Sequence, residues 1–138
     1  MIPTAKAGYS DKWATPKEVY EPLHQRFNFT FDPCPIDWKE GDADGLTIDW
    51  GERTFCNPPY SQVGAFVKKA AEEHAKGKLV VLLINAATDT RWFHEYIYKK
   101  PGVEIEFMKG RVKFVKPSEP DKRVPAPRPS MLVIMRLE

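Results

Sequence analysis

A chain of 138 residues with 42% hydrophobic and 12% aromatic residues can bury one core and not two, so a single domain over residues 1–138 is expected. Its formal charge of +2 is too small to establish a nucleic-acid partner by itself. Two cysteines and three histidines match no zinc spacing, and there is neither an apolar run of membrane length nor a signal-like start, so a soluble cytoplasmic protein without a structural metal is expected.

The charge is unevenly spread. Residues 32–52 hold seven acids against Lys39, whereas residues 109–128 hold seven bases against Glu119 and Asp121. One segment suits a cationic ligand and the other a polyanion, the alternative being two solvated surface stretches.

Residues 1–12 read as a loose arm. The first helix is expected from Thr15 as N-cap, with Pro16 at the first helical position and Glu18 closing a capping box. Val19, Leu23 and Phe27 line one face, and Pro22 implies a kink. Phe29-Thr30-Phe31 reads as a short strand running into the stiff turn Asp32-Pro33-Cys34-Pro35. Ligands of α/β folds bind beyond the carboxyl ends of strands, which makes Asp32 a candidate binding carboxylate, with the role of a simple turn former as the alternative.

Thr54-Phe55-Cys56 reads as a second strand leading into Asn57-Pro58-Pro59-Tyr60, the tetrapeptide around which the chain is organised. This tetrapeptide resembles the catalytic motif of enzymes that methylate an exocyclic amino nitrogen, and such an amine on a nucleobase is a poor nucleophile because its lone pair is delocalised into the ring. Acceptors fixed in advance, here the Asn57 side-chain oxygen and the Pro58 carbonyl, favour a pyramidal nitrogen and lower the barrier electrostatically. Two prolines stiffen the corner and remove backbone donors, and Tyr60 offers a face for stacking. An ordinary turn is the alternative.

Ser61 is expected to cap a helix to about Lys76, with Phe66, Val67, Ala70, Ala71 and His74 inward and Lys68, Lys69, Glu72 and Glu73 outward, stopped by Gly77. Leu79 to Ile84 reads as a central strand covered on both faces. Thr88-Asp89-Thr90 starts a helix whose apolar side carries Trp92, Phe93, Tyr96 and Ile97. Val103–Met108 and Arg111–Phe114 read as a hairpin turning at Lys109-Gly110. Residues 116–130, with five prolines, read as a long basic surface loop, and Met131–Leu137 as a closing strand. Strands alternating with helices give a three-layer α/β domain: a mostly parallel sheet with an antiparallel C-terminal hairpin.

Taken together, Trp13-x-Thr15-Pro16, Asp32-Pro33-Cys34-Pro35, Gly45-Leu46, Trp50, Asn57-Pro58-Pro59-Tyr60-Ser61, Asp89-Thr90-x-Trp92-Phe93 and Gly110-Arg111-Val112-x-Phe114 resemble the phage-type Dam family of DNA adenine methyltransferases, over roughly residues 13–135. The resemblance implies a reduced Rossmann-like methyltransferase fold and transfer of the S-adenosylmethionine methyl group to the amino nitrogen of adenine in double-stranded DNA, with the base flipped out, by a monomer or homodimer. It implies a catalytic set of Asn57, Pro58, Pro59 and Tyr60. It implies a cofactor set of Trp13, Thr15, Pro16, Asp32, Pro33, Cys34 and Asn57, with Asp44 and then Asp49 as candidates for the ribose and adenine. Lys109, Arg111, Lys113, Lys122, Arg123 and Arg128 are the candidates for DNA contact.

Three alternatives accompany this reading. Asn-Pro-Pro-Tyr also serves amino groups of RNA or of protein glutamine, and the fold also suits a DNA-binding module without turnover. Cys34 as a thiol nucleophile for cytosine carbon 5 would leave Asn57-Pro58-Pro59-Tyr60 without a purpose. If the two strand ends are neighbours, Cys34 and Cys56 lie close together as thiols.

Overall fold

The computed structural model describes residues 13–36 and 38–136; the expected arm at 1–12 and Asp37 lie outside the described residues. Helix α1 (Lys17–Phe27) leads to strand β1 (Arg53–Cys56), helix α2 (Val63–Ala75), strand β2 (Leu79–Asn85) and helix α3 (Arg91–Tyr96). Strands β3 (Val103–Phe107), β4 (Lys113–Lys116), β5 (Glu119–Pro125) and β6 (Ser130–Met135) follow. No helix among the described residues is long and apolar enough to cross a membrane.

The main sheet has the order β1-β2-β6-β3, with β2 as one of its two inner strands, as its unbroken apolar run requires. Successive side chains of β2 point to opposite faces. Val80, Leu82 and Ile84 pack with Phe66, Val67 and Ala70 of α2 and Phe93 of α3, whereas Leu79, Val81 and Leu83 pack with Leu23 and Phe27 of α1. β6 repeats the alternation, with Met131, Val133 and Met135 on one side and Leu132 and Ile134 on the other. The mixed α/β layering therefore follows from period-two burial on both faces.

The expectation of a mostly parallel sheet is corrected. Only the β1–β2 ladder is parallel; β2–β6 and β6–β3 are antiparallel, because the closing strand inserts between β2 and β3 and runs against both. The expected hairpin is also corrected. β3 pairs with β6, while β4 pairs with β5 in a separate two-stranded sheet. After β3, Met108 N–H donates to the Ser130 carbonyl, so the chain stays on the main sheet instead of folding back at Lys109-Gly110. The expected loop at 116–130 thus contains a strand.

Three local signals resolved differently from their sequence expectation. Phe29–Phe31 makes only an isolated parallel bridge, Phe31 to Thr54. α1 begins after Pro16 without a side-chain cap, so the Thr15–Glu18 box does not form, and Ser61 lies within a 3-10 turn (Tyr60–Gln62) ahead of α2. Of the expected caps, Thr90 acts as one: its hydroxyl accepts from Phe93 N–H at 3.3 Å.

Candidate active site

The corner at 57–60 begins where β1 ends, and its shape follows from its neighbours. Pro58 and Pro59 are buried, while Asn57 and Tyr60 are half-buried. The Asn57 side-chain nitrogen donates to the Trp13 carbonyl at 2.9 Å and to the Thr15 hydroxyl at 3.1 Å. Those two acceptors fix the amide, so that its oxygen points away from the segment before α1 as an acceptor. Thr15 contributes its hydroxyl here and not at the helix start. Burial raises the Tyr60 phenol, keeping it neutral.

Asn57 stands between two openings. On one side is a cleft of about 390 Å³ whose walls include Trp13, Thr15, Tyr20, Asp32, Cys34, Phe55 and Asn57. On the other, Asn57, Pro58, Tyr60, Asn85 and Ser130 enclose a void of about 10 Å³. Tyr60 and Asn85 also line a wider cleft of about 530 Å³, together with Gly64, Thr90, Trp92 and Arg128. The corner is thus the partition between a cleft with a carboxylate and aromatic faces and one with aromatic faces and a cation.

The carboxylate cleft has a built wall. Asp32 Oδ1 accepts from Cys34 N–H at 2.8 Å, so Asp32 both shapes the turn and lines the cleft. Burial raises the Tyr20 phenol, and the negative charge of Asp32 raises it further. Cys34 and Cys56 lie with their sulfurs 3.9 Å apart as free thiols, close together as expected. Burial pushes the Cys56 thiol well up, and Cys34 adds to the shift, so Cys56 is a thiol and not a thiolate. Cys34 lines the carboxylate cleft and not the Tyr60–Trp92 cleft.

Of the residues expected around a cofactor, Trp13, Thr15, Asp32, Cys34 and Asn57 converge on this cleft, whereas Pro16, Pro33, Asp44 and Asp49 are not among its lining residues. Asp44 closes its own turn, accepting from Leu46 N–H at 2.9 Å. Next to it, a Cβ on Gly45 would stand 2.3 Å from the Pro33 carbonyl, so this loop presses against the Asp32 turn through a site open only to glycine. Asp49 is exposed and pairs with Lys76 at 2.9 Å. Tyr20 and His24, one turn apart on α1, and Phe55 line the cleft although the sequence reading did not single them out.

A buried charge holds the acidic loop in place. Glu73, expected on the solvent face, is fully buried: Lys69, Lys76 and Lys78 approach its carboxylate at 2.9, 2.8 and 2.7 Å, and Trp50 N–H donates to it at 3.0 Å. Burial alone would raise its carboxyl, yet the hydrogen bonds from Lys76, Lys78, Lys69 and Trp50 together hold it far below the usual range. Trp50 Nε1–H in turn donates to the Gly45 carbonyl at 2.7 Å, carrying the anchor to the Gly45–Pro33 contact.

The basic candidates divide by what they touch. Arg128 lines the Tyr60–Trp92 cleft. Arg111 donates to the Ala126 and Pro127 carbonyls at 3.3 and 3.0 Å, holding the loop that bears Arg128. Arg123 pairs with Glu18 of α1 at 2.7 Å and Lys122 with Glu119 at 3.3 Å, while Lys109 and Lys113 are exposed. Among the described residues, no group of three or more His, Cys, Asp or Glu side chains is arranged to hold a metal ion.

Residues 3–137 match the family described as DNA N-6-adenine-methyltransferase (Dam). The chain belongs to that family. Among similar Dam proteins is the DNA N-6-adenine-methyltransferase of Haemophilus phage HP1 (strain HP1c1), 29% identical over 94% of this chain and 80% of that one. Another, the DNA N-6-adenine-methyltransferase of Escherichia phage T1, is 30% identical over 62% of this chain. Here the chain spans only 40% of the relative's length. No solved structure matches. In this Dam domain, residues from four of the segments that carried the resemblance converge: Trp13, Thr15, Asp32 and Asn57 on one cleft, Tyr60 and Trp92 on the next.

Proposed function

We propose that this Dam protein transfers a methyl group from S-adenosylmethionine to the amino nitrogen of an adenine flipped out of double-stranded DNA, on a Rossmann-like methyltransferase fold. The observation that carries the proposal is the tethering of the Asn57 amide nitrogen to Trp13 and Thr15, which presents the amide oxygen as an acceptor at the partition between two clefts.

The carboxylate cleft fits the cofactor. About 390 Å³ lies within the roughly 300–1,000 Å³ of small-molecule sites. Trp13, Tyr20 and Phe55 offer faces to a sulfonium and a purine, and Asp32 and Glu21 offer carboxylates to an ammonium and to ribose hydroxyls. When bound, S-adenosylmethionine supplies a methyl carbon on positively charged sulfur, which an amine lone pair displaces so that N–C forms as S–C breaks.

The protein's own part is positioning. The amino group of adenine is out of reach inside a duplex, so the base must leave the stack. Tyr60 and Trp92 line the cleft that receives it, and stacking on such faces is worth about 1–3 kcal/mol per base. Asn57 Oδ1 and the Pro58 carbonyl accept the two amino hydrogens, which turns the lone pair out of conjugation and towards the other cleft. Positive charge developing on that nitrogen meets two fixed dipoles, and the surplus proton leaves to solvent after transfer. Arg128 at the mouth supplies a phosphate contact.

The test uses methyl-labelled S-adenosylmethionine with DNA, RNA or protein as acceptor, followed by hydrolysis. Label in N6-methyladenine from DNA supports the proposal. Label confined to RNA or to glutamine, or no transfer despite cofactor binding, contradicts it.

A further inference from the structure

Asn85 ends β2, whose six preceding residues are all buried, and its side-chain oxygen is fully buried without a hydrogen-bond partner among the described residues. Ligand-binding side chains collect beyond the carboxyl ends of strands, where Asp32 and Asn57 also lie. The same residue lines both the void it shares with Asn57 and Pro58 and the wider cleft of Tyr60, Trp92 and Arg128. Nothing in the packing explains an unpartnered amide oxygen at that junction, because leaving a buried acceptor unsatisfied costs stability that an apolar side chain would not.

We infer that Asn85 is a specificity-determining residue that reads the target base through its edge, which rests on the adenine-methylation reading above. A carboxamide offers one acceptor and one pair of donors side by side, the pattern that matches the N6 and N7 positions of adenine. Asn85 Oδ1 shares an amino hydrogen with the corner at Asn57, and the amide nitrogen donates to N7. Cytosine also carries an exocyclic amine that the corner would accept, but it has a C–H where a purine has N7. Asn57 and Pro58 therefore recognise the amine, and Asn85 recognises which base bears it.

The experiment compares wild type, Asn85→Leu and Asn85→Asp on DNA made with adenine or with 7-deazaadenine, scoring methylated nucleosides and melting temperature. Wild type should lose about tenfold to a hundredfold on 7-deazaadenine DNA, the range of one good bidentate base contact. Both variants should lose a similar factor on ordinary DNA and little more on the analogue. Asn85→Leu should melt no lower than wild type, since it removes an unmade acceptor. If Asn85→Leu melts lower, Asn85→Asp decides by the same analogue penalty. Variants as active as wild type, or a penalty that persists undiminished in them, would overturn the inference. Wild type inactive on adenine DNA would instead sink the adenine-methylation reading beneath it.

Discussion

The side-chain nitrogen of Asn57 lies 2.9 Å from the carbonyl oxygen of Trp13, a residue 44 positions earlier, and this contact decides which way the amide faces. A backbone carbonyl cannot donate, so only the nitrogen can sit there. The Thr15 hydroxyl at 3.1 Å adds a second acceptor. The segment ahead of α1 therefore orients the group proposed to meet the amine, in addition to lining the neighbouring cleft.

Thr15→Val keeps the shape and removes the second acceptor. A net hydrogen bond is worth about 0.5–1.5 kcal/mol, so the transfer rate constant should fall roughly three- to tenfold. Cofactor affinity should change less than the rate. Single-turnover kinetics with a parallel cofactor titration checks this; an unchanged rate would mean that the Trp13 carbonyl suffices.

Glu73 predicts a pH dependence of stability. Its folded-state carboxyl is held well below the ordinary value of 4.5, so its contribution is fully present above that value and is lost as pH falls beneath it. Glu73→Gln leaves Lys69 and Lys78, both largely buried, without their partner. It should cost about 3 kcal/mol at pH 7, the lower end for broken buried pairs because Lys76 is half exposed. Denaturant titrations between about pH 7 and pH 3 should show wild type losing its advantage over the variant below about pH 4.5. Parallel curves for the two proteins would contradict the assignment.

Gly64 faces Trp92 at close quarters: a Cβ there would lie 2.9 Å from the indole Cδ1. Gly64→Ala should push the indole across the cleft it lines with Tyr60. Overpacking of this kind costs about 1–3 kcal/mol, and here it should surface as weaker productive binding of DNA. The expected result is a several-fold rise in KM for DNA at unchanged cofactor affinity. Equal effects on both ligands would mean general damage instead.

Arg128 and Arg123 should separate in salt dependence. Arg128→Ala should weaken DNA binding and reduce the slope of log affinity against log salt by about 1, the signature of one phosphate contact. Arg123 is already paired with Glu18, so Arg123→Ala should leave the slope nearly unchanged. The reverse pattern would reassign the phosphate contact to the β4–β5 hairpin.

Sequence alone was most informative where one local pattern had one physical solution. The apolar run Leu79–Ile84 had to be a doubly covered strand, Gly77 at φ 97° had to stop a helix, and Asn57-Pro58-Pro59-Tyr60 had to be a stiff corner. Pairing was less legible, because whether β3 meets β4 or β6 depends on a closing strand more than twenty residues away. Glu73 looked solvent-facing because its neighbours Lys69 and Glu72 are polar; only the arrival of Lys76, Lys78 and Trp50 from beyond the helix face makes its burial tolerable. Asn85 carries the same signal as Asp32, a polar residue directly after an apolar stretch, but no motif names it.

The most direct measurement is methyl transfer by Asn57→Ala, quantified as N6-methyladenine in DNA alongside cofactor binding. Losing one preorganised group of this kind typically costs about 10²–10³ in rate. At least that loss is expected, with cofactor affinity largely intact. Wild-type amounts of N6-methyladenine from Asn57→Ala would contradict that expectation.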